Sequence, residues 1–331
     1  MHMADALIST PVALGAGALA TILLATAGYK VNKEKRNDTR IVPLMGVLGA
    51  FVFAAQMINF TIPGTGSSGH IIGGILLAAF LGPWAAFLTL ASVLIIQCLI
   101  FADGGLLALG CNILNMGAMS TLVAYPLIFR PLTQNHQSTG RLFVASILAS
   151  LVGIELGACA VTFETELSGV TALPLRSFLM LMTGIHLAIG IGEGLATGAI
   201  IAFVVKSRPD LLFNANKGVV TSGRNLRKIL IGFGVATLVL GGGLACFAAE
   251  YPDGLEWSIE RITGSTELEP SEKDATSLSA AKIQDTTSVL PDYDNSLSGI
   301  IGAAMVVILV GSITSLLTSS RRRASRRSQR A

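Results

Sequence analysis

Charge is scarce in this chain: only 13% of its 331 residues are Asp, Glu, Lys or Arg, against 52% that are hydrophobic. A soluble domain carries roughly a quarter charged residues, so a soluble globular protein is excluded. Cysteine is scarce too. Cys98, Cys111, Cys159 and Cys246 stand singly in apolar surroundings, with no CxxC pair. That excludes a disulfide framework and leaves them as small buried hydrophobes. A GxxxxGK[ST] loop is absent, so the chain does not hydrolyse ATP in the usual way. Without HExxH or a comparable zinc motif, an intramembrane metalloenzyme is disfavoured. The chain is therefore read as a non-enzyme. No Lys or Arg precedes the first apolar run in MHMADALIST, so the positive front of a signal peptide is missing as well.

What fills the chain is a series of apolar runs near the roughly 20 residues that cross a bilayer as a helix. They include 10–29, 41–60, 84–101, 142–163, 178–205, 229–249 and 300–317. Backbone groups in lipid have no water to bond, so these runs are expected to be helices. Nine hydrophobic segments result, and the third, 70–81, is short and stops at the turn signal Gly82-Pro83. The expected fold is all-α, a polytopic membrane helical bundle. About seven helices belong to a core in residues 1–208, followed by a basic cytoplasmic linker, 209–227. Residues 228–331 form a two-helix hairpin around an extracytoplasmic loop. That segment, 250–296, holds 11 of the 20 carboxylates and reads as an exposed loop or small module.

The basic residues sort by side. With the N-terminus outside, 19 of the 23 Lys and Arg face inward, and only Arg176, Arg261, Lys273 and Lys282 face outward. The tail RRRASRRSQR is then a cytoplasmic anchor against lipid headgroups. This segregation also removes any implication of a nucleic-acid partner. Multi-pass insertion in a bacterial plasma (inner) membrane, with the C-terminus cytoplasmic, is the expected location.

The first two residues carry chemistry. Thr10-Pro11 reads as a helix start, so Met1 and His2 precede the first span on its outer side. Methionine removal needs a small second residue, and His2 is large, so Met1 is expected to stay. The Met1 amine, the His2 backbone nitrogen and the His2 ring Nδ1 can close two adjacent chelate rings. Ni²⁺ and Cu²⁺ best promote loss of the backbone proton, and all-nitrogen tetragonal geometry suits them. Three donors leave one equatorial position open. Only His70, His136 and His186 remain as histidines. His136 lies on an inner loop and reads as solvated. His70 ends the outer loop TIPGTGSSGH, where it can meet the terminus, so it is the best fourth ligand.

FVFAAQMINF (51–60), SSGHIIGG (67–74), GPWAAFL (82–88), FADGGLLALGCNILNMG (101–117) and HLAIGIGEGLATG (186–198) resemble the motifs of the CbiM/NikM family. These are substrate-binding S components of energy-coupling-factor transporters for nickel and cobalt. YPDGLEWSIE (251–260) resembles a PDGLE-type accessory unit fused behind such components. The resemblance implies metal binding through Met1, His2 and the SGH histidine, His70, with Ni²⁺ or Co²⁺ as transported substrate. It also implies a CbiQ/NikQ-like transmembrane coupling subunit and two CbiO/NikO-like cytoplasmic ATPases as partners. The family's start reads Met-His-Ile-Pro-Asp-Gly, of which Met1, His2 and Asp5 match.

Other polar residues within the apolar runs are candidates for supporting roles. His186 and Glu193 share one helix face. Asp103, Asn112 and Asn115 stand near the outer helix ends. These are read as groups that orient the ligands, with interhelical hydrogen bonding and loop capping as the bland alternative. Glu155 is equally open. Small-residue rows at Gly190, Gly194 and Gly198 and at Ala13 and Gly17 allow close helix contact. A membrane metal sensor without transport is the alternative function. The small cytoplasmic loops offer no output domain, and neighbouring genes for an ATPase and a coupling subunit would separate the two.

Overall fold

A computed structural model describes residues 1–34, 40–134, 138–213, 223–266, 268, 275–293 and 297–328. His136, the middle of the linker and part of the charge count (Lys35, Arg36, Lys217, Lys273, Arg330) lie outside the described residues. The described chain is helical, as the apolar runs require. Helix α1 spans Thr10–Glu34 and α2 spans Ile41–Gln56. The short α3 spans Gly74–Leu81 and α4 spans Pro83–Phe101. Between them Gly82 takes φ +79°, a conformation open to glycine, and Pro83 opens α4 where a missing N–H costs nothing. Helix α5, Leu109–Thr133, is wound in wide π turns over Ile113–Phe129. Helices α6, Thr139–Ser168, and α7, Leu175–Ser207, form the most extensive helix pair.

The chain beyond residue 222 adds α8 (Gly223–Gly242), α9 (Gly254–Thr263), α10 (Ala275–Thr287) and α11 (Ser298–Ser328). Among the described residues six helices are long and apolar enough to cross a membrane: α1, α4, α5, α6, α7 and the stretch Ser298–Ser315 of α11. Helix α2 is apolar but has 16 residues. The apolar run 41–60 is not helical to its end. After Gln56 the chain enters an antiparallel hairpin, β1 Phe60–Ile62 and β2 Ser67–Gly69, with Phe60 opposite Gly69.

Lipid tails are as apolar as leucine, so close packing rather than water exclusion joins the helices. Helix α3 is buried along its whole length. The glycine row of α7 lies on α6: a Cβ added at Gly190 would stand 3.0 Å from the Leu151 Cα, and one at Gly198 3.1 Å from the Phe143 Cα. In α1, Gly17 meets α5, where a Cβ at Gly110 would come within 2.6 Å of the Gly17 Cα. The rest of α1 exposes Leu14, Leu19 and Ile22. Helices α8 and α11 pack on α2, and α11 also reaches α4. Within the acidic segment between them α9 is docked, since its Leu255 and Ile259 are buried against the core.

Candidate metal site

The first residues are threaded into the protein. Met1, Met3, Leu7 and Ile8 are buried, and Asp5–Leu7 forms a 3-10 turn. Chain ends stay poorly ordered unless tied down, and here the ties come from the α4–α5 region. The Met3 N–H donates to the Asn112 side-chain oxygen at 2.8 Å, and the Asn112 amide donates back to the Met3 carbonyl at 3.1 Å. The Gly105 N–H reaches the same carbonyl at 2.9 Å, and the Ala108 N–H reaches the Asp5 carboxylate at 3.0 Å. The two glycines of FADGG make room for this. A Cβ at Gly104 would stand 3.2 Å from the His2 Cβ, and one at Gly105 would overlap Asp5.

His2 stacks on His70, with ring centroids 5.5 Å apart and planes 22° from parallel. His70 follows β2, and its loop is held from behind by Glu193 of α7. The Ile72 and Gly73 N–H groups donate to the two Glu193 oxygens at 2.8 and 3.1 Å. The His70 Nδ1 lies 3.1 Å from the Ile71 carbonyl. That contact assigns the proton to Nδ1 and leaves the lone pair on Nε2, the form that ligates metals. Burial lowers both imidazoles. His70 is pushed down to about 4, first by burial and then by the neighbouring amine and His2. His2 is lowered by burial, which outweighs the opposing pull of Asp103. Burial thus favours the neutral form of both rings, and the His70 Nε2 lone pair is free.

Carboxylates cover the nitrogens that a chelate would use. The His2 Nδ1 lies 3.0 Å from Asp103 Oδ1, and Asp103 Oδ2 accepts from the Tyr293 hydroxyl at 2.7 Å. The Met1 ammonium pairs with Asp253 Oδ2. Asp253 is also the N-cap of α9. Its Oδ1 accepts from the Leu255 and Glu256 N–H groups at 2.8 and 2.9 Å, and Glu256 closes a capping box on the Asp253 N–H. Burial alone would raise the Asp253 carboxyl, but the ammonium beside it overrides burial and holds it well below the usual range. The preceding Pro252 carbonyl accepts from the Ser68 N–H at 2.8 Å, docking this turn on the hairpin. A cavity of about 830 Å³ opens here, lined by His2, His70, Asp103, Asp253, Gln284 and Tyr293 among others.

Of the sequence-derived candidates, Met1, His2, His70, Asp5, Asp103 and Asn112 come together. Glu193 stands one layer behind, on the His70 loop. Asn115 does not join them; it donates to Glu164 of α6 at 2.6 Å. His186 shares α7 with Glu193 and borders the site from the side of the Asp253 turn. Its Nδ1 lies 2.7 Å from the Met182 carbonyl, and its ring abuts Gly254 so closely that a Cβ there would stand 2.9 Å from the ring Cε1. Among the described residues no group of three or more His, Cys, Asp or Glu is arranged to hold a metal. Asp253, Tyr293 and Gln284 escaped the sequence reading. Asp253 carried one usable signal, since Asp-x-x-Glu at 253–256 is a capping-box pattern.

Comparison with known proteins gives two family matches. Residues 2–211 match the CbiM family, a cobalt-uptake substrate-specific transmembrane region. The chain belongs to the CbiM family. This is a family of transport proteins rather than enzymes. Residues 227–319 match the PDGLE domain. A putative fused nickel transport protein NikMN of Archaeoglobus fulgidus is 34% identical over 212 residues, 64% of this chain and 68% of its own length. The fused nickel transport protein NikMN of Rhodobacter capsulatus is 29% identical over 275 residues, 80% of this chain and 77% of its own. A crystal structure of a truncated transition-metal transporter superposes with a TM-score of 0.55 at 34% identity, covering 62% of this chain and 99% of that one.

Proposed function

We propose that this CbiM-family chain is the substrate-binding component of an energy-coupling-factor importer for a transition-metal ion, nickel first and cobalt second. The observation that supports it best is the buried N-terminus, with His2 stacked on His70 at 5.5 Å. The Met1 amine, the His2 backbone nitrogen and Nδ1, and the His70 Nε2 are the four donors. An all-nitrogen set that includes a deprotonated amide favours tetragonal Ni²⁺. Asn112, Asp5 and Glu193 hold the ligand-bearing segments, as second-layer groups commonly do. Asp103 meets His2 on the chelating nitrogen itself, so it must yield that nitrogen to the ion.

The ion arrives from outside, because the basic loops place the N-terminus there. The chain is multi-pass in a bacterial plasma membrane. It has no nucleotide-binding loop, so transport energy comes from partner ATPases of the CbiO/NikO type through a CbiQ/NikQ-type coupling subunit. The names of the fused nickel transport relatives agree with this reading. Metal-competition binding on the purified full chain with an unmodified N-terminus tests it. His2→Ala or His70→Ala is expected to weaken nickel binding at least about a hundredfold, the upper range for metal-site lesions. Unchanged affinity in either variant sinks the ligand set, and cobalt displacing nickel at equal concentration reverses the ion ranking.

A further inference from the structure

Both chelating side groups of the terminus are engaged, and both engagements lead to the accessory module. Asp253 supplies the carboxylate that pairs with the Met1 amine. Tyr293 holds the Asp103 carboxylate that lies on the His2 Nδ1. We propose that Asp253 and Tyr293 form a latch that keeps the ion-free site closed, so that the accessory module sets the rate at which metal loads. This rests on the ligand set proposed above.

The latch is built rather than incidental. The Asp253 carboxylate is oriented by its two cap bonds on α9, and its turn is stitched to the hairpin by Ser68, whose hydroxyl donates to the Tyr251 carbonyl at 2.6 Å. The Tyr293 ring stacks on Phe101 at the end of α4, with centroids 4.6 Å apart and planes 16° from parallel. Its backbone takes φ +57°, a left-handed conformation that a bulky residue adopts only when its surroundings enforce it. The loop that carries Asp103 is gripped from the same side. The Gln284 amide donates to the Gly104 carbonyl at 2.7 Å and the Cys98 carbonyl at 3.0 Å. The Leu290 N–H donates to the Ile100 carbonyl at 3.1 Å.

An ion can bind only molecules in which the amine has left Asp253 and Nδ1 has left Asp103. The apparent affinity and association rate are then both reduced by the fraction of molecules that are open. Dissociation starts from the loaded state, where neither contact exists, and is untouched. A hydrogen bond to a charged group typically shifts such an equilibrium by about tenfold to a hundredfold.

The test uses the full chain, purified with its native terminus, and follows nickel association and dissociation by stopped-flow absorbance. Asp253→Asn keeps the N-cap, because asparagine caps as well as aspartate, and removes the charge. It is expected to load about tenfold faster and bind about tenfold tighter, with an unchanged dissociation rate. Tyr293→Phe is expected to act in the same direction with a smaller factor, and it carries the test independently if Asp253→Asn does not fold. Unchanged association in both variants overturns the latch. So does faster dissociation without faster association, which would make these residues supports of the loaded state. His70→Ala in the same assay separates the two readings. If it binds nickel normally, the ligand set fails; if it loses nickel while both latch variants load at the parent rate, only the latch fails.

Discussion

Residues 2–211 and 227–319 hold the same site in opposite ways. The first part surrounds it with buried helices. All of α3 is buried, and α4 is buried over most of its length. The second part reaches it with polar side chains from elements that bury little. Helix α10 buries no residue at all, yet its Gln284 touches the loop of Asp103. Helix α9 buries Leu255 and Ile259 and presents Asp253 at its tip. The difference teaches a division of labour. Dense packing determines where the nitrogens stand, and the accessory part determines what they bond when no ion is present.

Three measurements can break or sharpen that contrast. The largest effect is expected from the scaffold side. A side chain at Gly105 would overlap Asp5, so Gly105→Ala should displace the terminus and weaken metal binding at least about tenfold. Helical content by circular dichroism should stay unchanged, and Gly140→Ala, with open space around it, is the neutral control. Normal binding in Gly105→Ala would show that the terminus does not need its seat.

Acid gives an intermediate effect. The folded His70 is depressed from 6.5 to about 4 by burial and by the nearby amine and His2. The stability tied to its neutrality is full above about pH 6.5 and is lost as pH falls toward 4. Thermal unfolding from pH 7 to pH 4 should show this loss in the parent and a shallower one in His70→Gln. Metal affinity should fall earlier in the titration, because the amine and amide must also give up protons to the ion. An affinity that is flat between about pH 8 and 5 contradicts an all-nitrogen site.

The smallest effect is expected at the accessory margin. Gln284→Ala removes bonds from a helix that buries nothing, so it should cost only about 1 kcal/mol of stability. Nickel affinity by titration should stay within about threefold. A loss as large as that of Gly105→Ala would erase the distinction between scaffold and latch.

Much of this was legible from residue order. The apolar runs marked the long helices because lipid forces the backbone to bond within each segment. Gly82-Pro83 marked the α3–α4 turn because both residues have narrow conformational uses. The hairpin after α2 was not legible. Periodicity alone does not separate a short buried apolar strand from the end of a helix, and 41–60 is apolar throughout. Asn112 and Asn115 looked alike in sequence. They part in the structure because one turns to the Met3 backbone and the other to Glu164.

By itself the sequence determined the membrane class and singled out Met1, His2 and His70 as one candidate group. Composition, chelate-ring size and a same-side histidine are all local or additive properties. The tertiary structure alone decided that Asp253 stands on the Met1 amine, across a separation of 252 residues. It likewise decided that Tyr293 stands on Asp103. A contact between distant segments depends on how α2, α4, α8 and α11 pack together, and no local pattern encodes that packing.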